Sequence, residues 1–152
     1  MKNLRIGISL YGLIIVALQA LPNIIWALFP PPVNPLEGNA SSVIAIEYGE
    51  RVLGVAIVIL LLFLVQRGQE KILPKSKTAL AAYAAIGLYW ICWILYYCAF
   101  QPLPIIYLMV TLPPFAFFCA GIAEKVYLVS VASALFLMFH LLVALENFPI
   151  VA

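Results

Sequence analysis

The chain has 152 residues, of which 66% are hydrophobic and only 9% charged, and its mean hydropathy is +1.15. Soluble domains carry about a quarter charged residues, so a water-bathed globule is excluded and the bilayer is the solvent this composition fits. A net charge of +2, with Lys and Arg scattered along the chain, excludes a nucleic-acid footprint and hence a nucleic-acid partner.

Five segments are long enough to cross a hydrocarbon core of about 30 Å, which takes about 20 helical residues. The expected fold is all-α: one transmembrane domain over residues 1–152, a bundle of five helices at roughly 6–29, 43–65, 78–100, 104–123 and 126–146. Continuous apolar runs of this length satisfy their backbones as helices rather than as the alternating strands of a barrel.

The chain opens MKNLRIGISLYGLIIVALQA. This has the outline of a signal peptide, but the cleavage site is poor and the apolar run resumes after Pro22-Asn23, so a retained first span is expected. Gly12, Gln19, Asn23 and Trp26 fall on one stripe of it. FPPPVNPLEGNASS, residues 29–42, is too rich in Pro, Gly, Asn and Ser to be helical and is expected to run extended over the surface. Its Asn39-Ala40-Ser41 matches a glycosylation sequon, a three-residue pattern that chance explains.

The second span begins VIAIEYGERVLG and places Glu47, Glu50 and Arg51 within five residues of an otherwise apolar run. Glu47 stands three and four residues from Glu50 and Arg51, and Gly54 continues the stripe. A charge at mid-bilayer costs at least about 2.5–3.5 kcal/mol on insertion scales. The stripe is therefore expected to face the bundle interior or a water-filled vestibule opening outward. The plainer reading is a structural Glu47–Arg51 ion pair, or an Arg51 that snorkels to the headgroups.

QRGQEKILPKSK, residues 66–77, is a charged loop. Small residues in the third span (Ala79, Ala81, Ala82, Ala84, Ala85 and Gly87) permit close helix contact, within the bundle or with a partner helix. Its YWICWILYY brings Tyr89, Trp90, Trp93, Tyr96 and Tyr97, aromatics that climb toward the outer surface and wall the pocket, with Tyr96, Tyr97 and the following Gln101 also readable as an interfacial belt. In the fourth span Pro113-Pro114 frees the carbonyls of Met109 and Val110. The pair is either a kink or a break, and a break would leave a four-span bundle. Ala123-Glu124-Lys125 leaves room only for a tight hairpin into the fifth span, where Ser133, His140 and Asn147 recur every seven residues.

With the N-terminus inside, Lys2, Arg5, Arg67, Lys71, Lys75, Lys77 and Lys125 are cytoplasmic and Arg51 alone is not; the positive-inside rule therefore predicts N-terminus in and C-terminus out. The expected location is a multi-pass position in a cell membrane, in particular a bacterial plasma membrane.

Three cysteines inside apolar runs argue against a disulfide framework. One histidine, with no Cys-x-x-Cys or His-x-x-x-His pair, gives no metal site, and no cofactor is expected. Phe136 to His140 fits the Phe-x-x-x-His element of CAAX-type intramembrane proteases, but the glutamates are not adjacent and a second histidine is absent, so no family and no catalytic residue is assigned. The expected function is binding or transport of a small, amphipathic molecule or lipid in an outward-facing pocket. Its expected lining is Gln19, Asn23, Trp26, Glu47, Glu50, Arg51, Trp93, Tyr97 and His140, with Glu47 and Arg51 paired. A transporting form would be a homodimer. The alternative is a non-catalytic membrane subunit or assembly partner of a larger complex.

Overall fold

The computed structural model describes residues 4–67 and 72–150. The basic residues Lys2 and Lys71 lie outside the described residues. In chain order the elements are β1 (Leu4–Ile6), α1 (Leu10–Leu28), α2 (Ile44–Phe63), β2 (Leu64–Gln66), α3 (Lys77–Tyr97), α4 (Leu103–Ala123) and α5 (Tyr127–Asn147). The fold is a five-helix bundle, and α1, α3, α4 and α5 are each long and apolar enough to cross a membrane. These four helices are compatible with a multi-pass membrane protein. α2 is 20 residues long, but its opening turns carry Glu47, Glu50 and Arg51, so length and apolarity alone do not qualify it as a span.

Local chemistry explains the helix ends. Ser9 caps α1 by accepting the Gly12 N–H at 2.8 Å, and Ser76 caps α3 by accepting the Ala79 N–H at 3.1 Å. Each satisfies a donor that a helix start leaves without an internal partner. α3 and α4 end with Ala99 and Lys125 in the left-handed region, at φ 60° and 59°. The Phe100 N–H then reaches the Leu95 carbonyl at 3.0 Å and the Val126 N–H reaches that of Gly121 at 2.8 Å, the Schellman closure. These closures reverse the chain at once and set α3, α4 and α5 antiparallel.

α4 continues without interruption through Pro113-Pro114. The broken fourth segment is therefore not formed: α3 and α5 pack closely on α4 and hold it as one helix. One feature departs from the sequence reading. Residues at the start of the first expected span and the end of the second form an antiparallel ribbon, with Leu4 opposite Gln66 and Ile6 opposite Leu64. It extends through the Gly7 N–H to the Phe63 carbonyl (3.0 Å) and the Ser9 N–H to the Leu62 carbonyl (2.9 Å). Pairing satisfies the backbone where the helices stop.

Around the bundle the order is α3, α4, α5, α2, with α1 packed more lightly against α2, α3 and α4. At the end carrying the ribbon the packing is dense: Tyr11, Ile15, Leu61, Ala79, Ala82, Ala116, Ala120 and Val129 are fully buried. Small residues on α3 and α4 bring those helices together. α1 and α2 meet where a Cβ on Gly12 would lie 2.1 Å from the Leu61 carbonyl oxygen. No flexible group stands there to give way.

Gly12→Ala is therefore expected to destabilise the bundle by about 1–3 kcal/mol through overpacking against backbone. Gly87→Ala, which meets nothing within 4 Å, should be neutral or gain up to about 1 kcal/mol of helix propensity. Thermal unfolding of both variants in detergent checks the contrast.

Candidate functional site

Residues 29–43 do not run extended over the surface as the composition suggested. They fold back across the end of the bundle opposite the ribbon, hereafter the loop end. Asn34 is the hub: its Oδ1 accepts the Trp26 indole N–H and the Tyr96 hydroxyl, both at 2.8 Å, and the Tyr96 oxygen in turn accepts the Leu36 N–H at 3.0 Å. Tyr97 donates to the Phe29 carbonyl (2.9 Å) and Gln101 to that of Val33 (2.9 Å). The other half of the loop is held by α2 and α5. Glu47 accepts the Ser41 N–H at 3.0 Å, Glu146 accepts the Ser42 N–H at 2.9 Å, and Asn147 donates to the Ala40 carbonyl at 3.0 Å. Tyr96 is fully buried in this hydrogen-bond network rather than standing in an interfacial belt.

Beneath the loop lies a cavity of about 420 Å³ to which all five helices contribute. α1 supplies Val16, Gln19, Ala20, Asn23 and Trp26; α2 supplies Glu50 and Val58; α3 supplies Tyr89 and Trp93. α4 supplies Met109, Val110, Pro113 and Phe117, α5 supplies Phe136 and His140, and the loop adds Leu36 and Asn39. Met109 and Val110 are the residues whose carbonyls the two prolines leave without a helical N–H.

Of the residues the sequence singled out, Gln19, Asn23, Trp26, Glu50, Trp93 and His140 come together on this cavity, while Glu47, Arg51 and Tyr97 do not line it. The cluster that opens α2 splits because successive helix positions turn by about 100°, so a stripe holding both Glu50 and Arg51 is wide enough to cover two faces. Glu50 turns inward, where its carboxylate meets His140 Nδ1. Arg51 turns outward, its side chain 70% exposed, and pairs with Glu47 through Nε at 2.8 Å. That exposed pair adds little stability; its role is to hold Glu47 where it grips the loop. Tyr97 faces a shallow groove between α1 and α3.

Polar contacts inside the cavity are uneven. Asn23 is tied to the Tyr89 hydroxyl at 3.0 Å, and His140 stacks on Phe136 with ring centroids 4.9 Å apart. Trp93 is ringed by Trp26, Tyr89, Tyr96 and Tyr97. Its buried indole N–H approaches the Tyr89 hydroxyl without a well-formed hydrogen bond, while both ends of the Gln19 amide and Asn39 Oδ1 are buried with no partner among the described residues. Gln19 is only 3% exposed. A buried polar group left unpaired costs about 1–3 kcal/mol, and such atoms gather on this one cavity.

Sequence reasoning placed Tyr89 among the aromatic walls without naming it as lining, and it missed Phe136 as a lining residue. Each stands one helical turn before a residue it had marked, Trp93 and His140 respectively, and that spacing was the available signal. It also missed a second cavity of about 350 Å³ at the ribbon end, lined in part by Ser9, Tyr11 and Glu124. Glu124, which reads as a mere turn residue, is 7% exposed. It accepts the Ser9 hydroxyl at 2.5 Å through one oxygen, and its other oxygen has no partner among the described residues. Burial raises its carboxyl above the ordinary value of 4.5, against the opposing pull of the Ser9 hydrogen bond. No group of three or more His, Cys, Asp or Glu side chains suited to a metal occurs among the described residues.

Comparison with known protein families finds no match, and comparisons with curated proteins and with solved structures find none. The site is therefore read from its own chemistry.

Because the folded chain holds the Glu124 proton more tightly than the unfolded chain, its contribution to stability is greatest at low pH. It should fall as pH rises from about 4.5 through the raised value. Glu124→Gln keeps an oxygen for Ser9 and removes the titration. Thermal melts at increasing pH should show a downward slope in the wild type that is shallower in the variant.

Proposed function

We propose that the chain is a multi-pass membrane protein of five spans that binds or carries a small amphipathic molecule in the loop-end cavity. α2 is the fifth span in this reading. Two of its charges neutralise each other near the loop-end surface and the third is paired inside the bundle, so the cost of placing them in the membrane is offset. The ribbon end is cytoplasmic. Arg5, Arg67, Lys75, Lys77 and Lys125 gather there, whereas Arg51 is the basic residue at the loop end among the described residues. The loop end then faces outward.

The observation that carries the binding reading is the Gln19 amide, buried and unpaired on a cavity of ligand size. A purely structural core would place Leu or Met at this position. The competing reading, a non-catalytic subunit of a larger complex, draws on Ala84 and Gly87, which are open on the outer face of α3.

Native mass spectrometry of the protein released gently from its own membrane tests both. The expected result is a stoichiometric small molecule on the wild type, absent from Gln19→Leu. With ligand stripped from both, the same substitution should stabilise the protein by about 1–3 kcal/mol by removing unpaired polar atoms, and so separates ligand loss from misfolding. A wild type that carries nothing would overturn the pocket reading, and a stoichiometric polypeptide would favour the subunit. The topology is checked in a Cys98→Ser background. A membrane-impermeant maleimide should label Glu37→Cys on intact cells but label Lys75→Cys only after permeabilisation; the reverse pattern would invert the orientation.

A further inference from the structure

We infer that the cavity is loaded from the bilayer, through the gap between the loop-end halves of α1 and α2, and that its occupant is an uncharged membrane lipid whose head carries a hydroxyl or carbonyl. This rests on the binding reading above and names its ligand class and route.

The route follows from which walls are closed. The aqueous side lies under the 29–43 loop, which is hydrogen-bonded to α1 and α3 along its first half and to α2 and α5 along its second. The walls from α3 and α4 are largely closed: Tyr89, Trp93, Met109, Val110 and Phe117 are buried and Pro113 is partly exposed. The most accessible lining lies on α1, where Asn23 is exposed and Val16 and Ala20 are partly so. Glu50 and Val58 of α2 and Phe136 and His140 of α5 are also partly exposed, but α2 and α5 pack closely on each other, which leaves the α1–α2 side as the opening. α1 and α2 are pinned together near the ribbon end by the Gly12–Leu61 approach, while the long loop joins them at the other end. Toward the loop end, Val16, Ala20 and Asn23 of α1 and Glu50 and Val58 of α2 line the cavity instead, and in a membrane an opening between them faces lipid.

The class of ligand follows from charge and hydrogen bonding. No Lys or Arg lines the cavity, and its one histidine is engaged by Glu50. A phosphate head would therefore meet a carboxylate with no fixed cation beside it. Trp93 offers a donor only, and Gln19 offers both donor and acceptor. A single hydroxyl or carbonyl satisfies the indole, and a hydroxyl satisfies the amide from either side.

The polarity gradient sets the ligand's direction. At about 1.5 Å per residue, Gln19, Asn23, Glu50, Tyr89 and His140 lie about 7–14 Å below the loop-end helix termini. Val16, Val58, Phe117 and Phe136 lie about 16–21 Å below them. The head rests in the outer layer and the chain runs inward, toward the apolar middle of the membrane.

The test uses the full chain in phosphatidylcholine vesicles with three photoactivatable diazirine probes: a monoacylglycerol, a phosphatidic acid of the same chain, and a short water-soluble alcohol. The expected result is labelling of residues 16–26 and 89–93 by the monoacylglycerol about tenfold above the phosphatidic acid, the preference one good hydrogen bond provides. Gln19→Leu, and Ala20→Trp in the gap, should each abolish that preference while leaving labelling of the lipid-facing 128–138 surface unchanged, which reports an intact fold. Equal labelling by phosphatidic acid overturns the ligand class. Cavity labelling by the soluble alcohol alone overturns the lipid route while leaving the pocket standing. Failure of all three probes to mark the cavity overturns both this inference and the binding reading.

Discussion

The structure depends on a glycine. Gly12 lets the α1 backbone come against the Leu61 carbonyl, and no side chain fits between them. That contact lies at the ribbon end, reinforced by the β1–β2 pairing and by Ser9, which caps α1 and also donates to Glu124. The remaining geometry follows from it. α3, α4 and α5 are forced antiparallel by closures of a few residues, whereas α1 and α2 are joined by a loop long enough to leave their far ends apart. One end of the bundle closes on alanines and the other encloses a cavity.

The polar residues divide accordingly. In a low-dielectric surrounding each buried polar atom must be paired or must cost stability. At the loop end most are paired for a structural purpose. Asn34, Tyr96, Trp26, Glu47 and Glu146 fasten the loop, and Glu50 engages His140 across α2 and α5. The Gln19 amide, Asn39 Oδ1 and the Trp93 N–H are the exceptions among the described residues there, and they share one cavity. Unpaired polar atoms gathered on one cavity are a stronger sign of function than the charged residues that first draw the eye. Glu47 and Arg51, the most conspicuous of those, serve the loop rather than the cavity.

The ribbon end carries a smaller exception of its own. Glu124 sits in the α4–α5 turn with its carboxyl buried, half-satisfied and tied to the start of α1. Since α1 is the most lightly packed helix, its ribbon end is held by a titratable group and its loop end by Trp26 and Asn34. Between these fastenings the middle of α1 is tied to α3, by Asn23 to Tyr89 and by the Trp90 indole N–H to the Leu18 carbonyl.

Much of this was legible in the sequence, for physical reasons that can be named. A bilayer needs long apolar runs, so the five helices and the loops between them could be read directly, and the three-residue turn at 123–125 allowed only a hairpin. Helical spacing placed Gln19, Asn23 and Trp26 on one stripe, and all three line the cavity. Spacing along one helix says nothing of which neighbour each face meets. Only the tertiary packing separated Glu50, turned in to His140, from Arg51, turned out to the surface. Only tertiary packing turned a Pro-rich segment that looked merely extended into a fastened cover, because its anchors come from four different helices. The same holds for the Glu124 cavity and for the lightly packed α1: both arise where segments distant in the chain meet, and no local pattern records such a meeting.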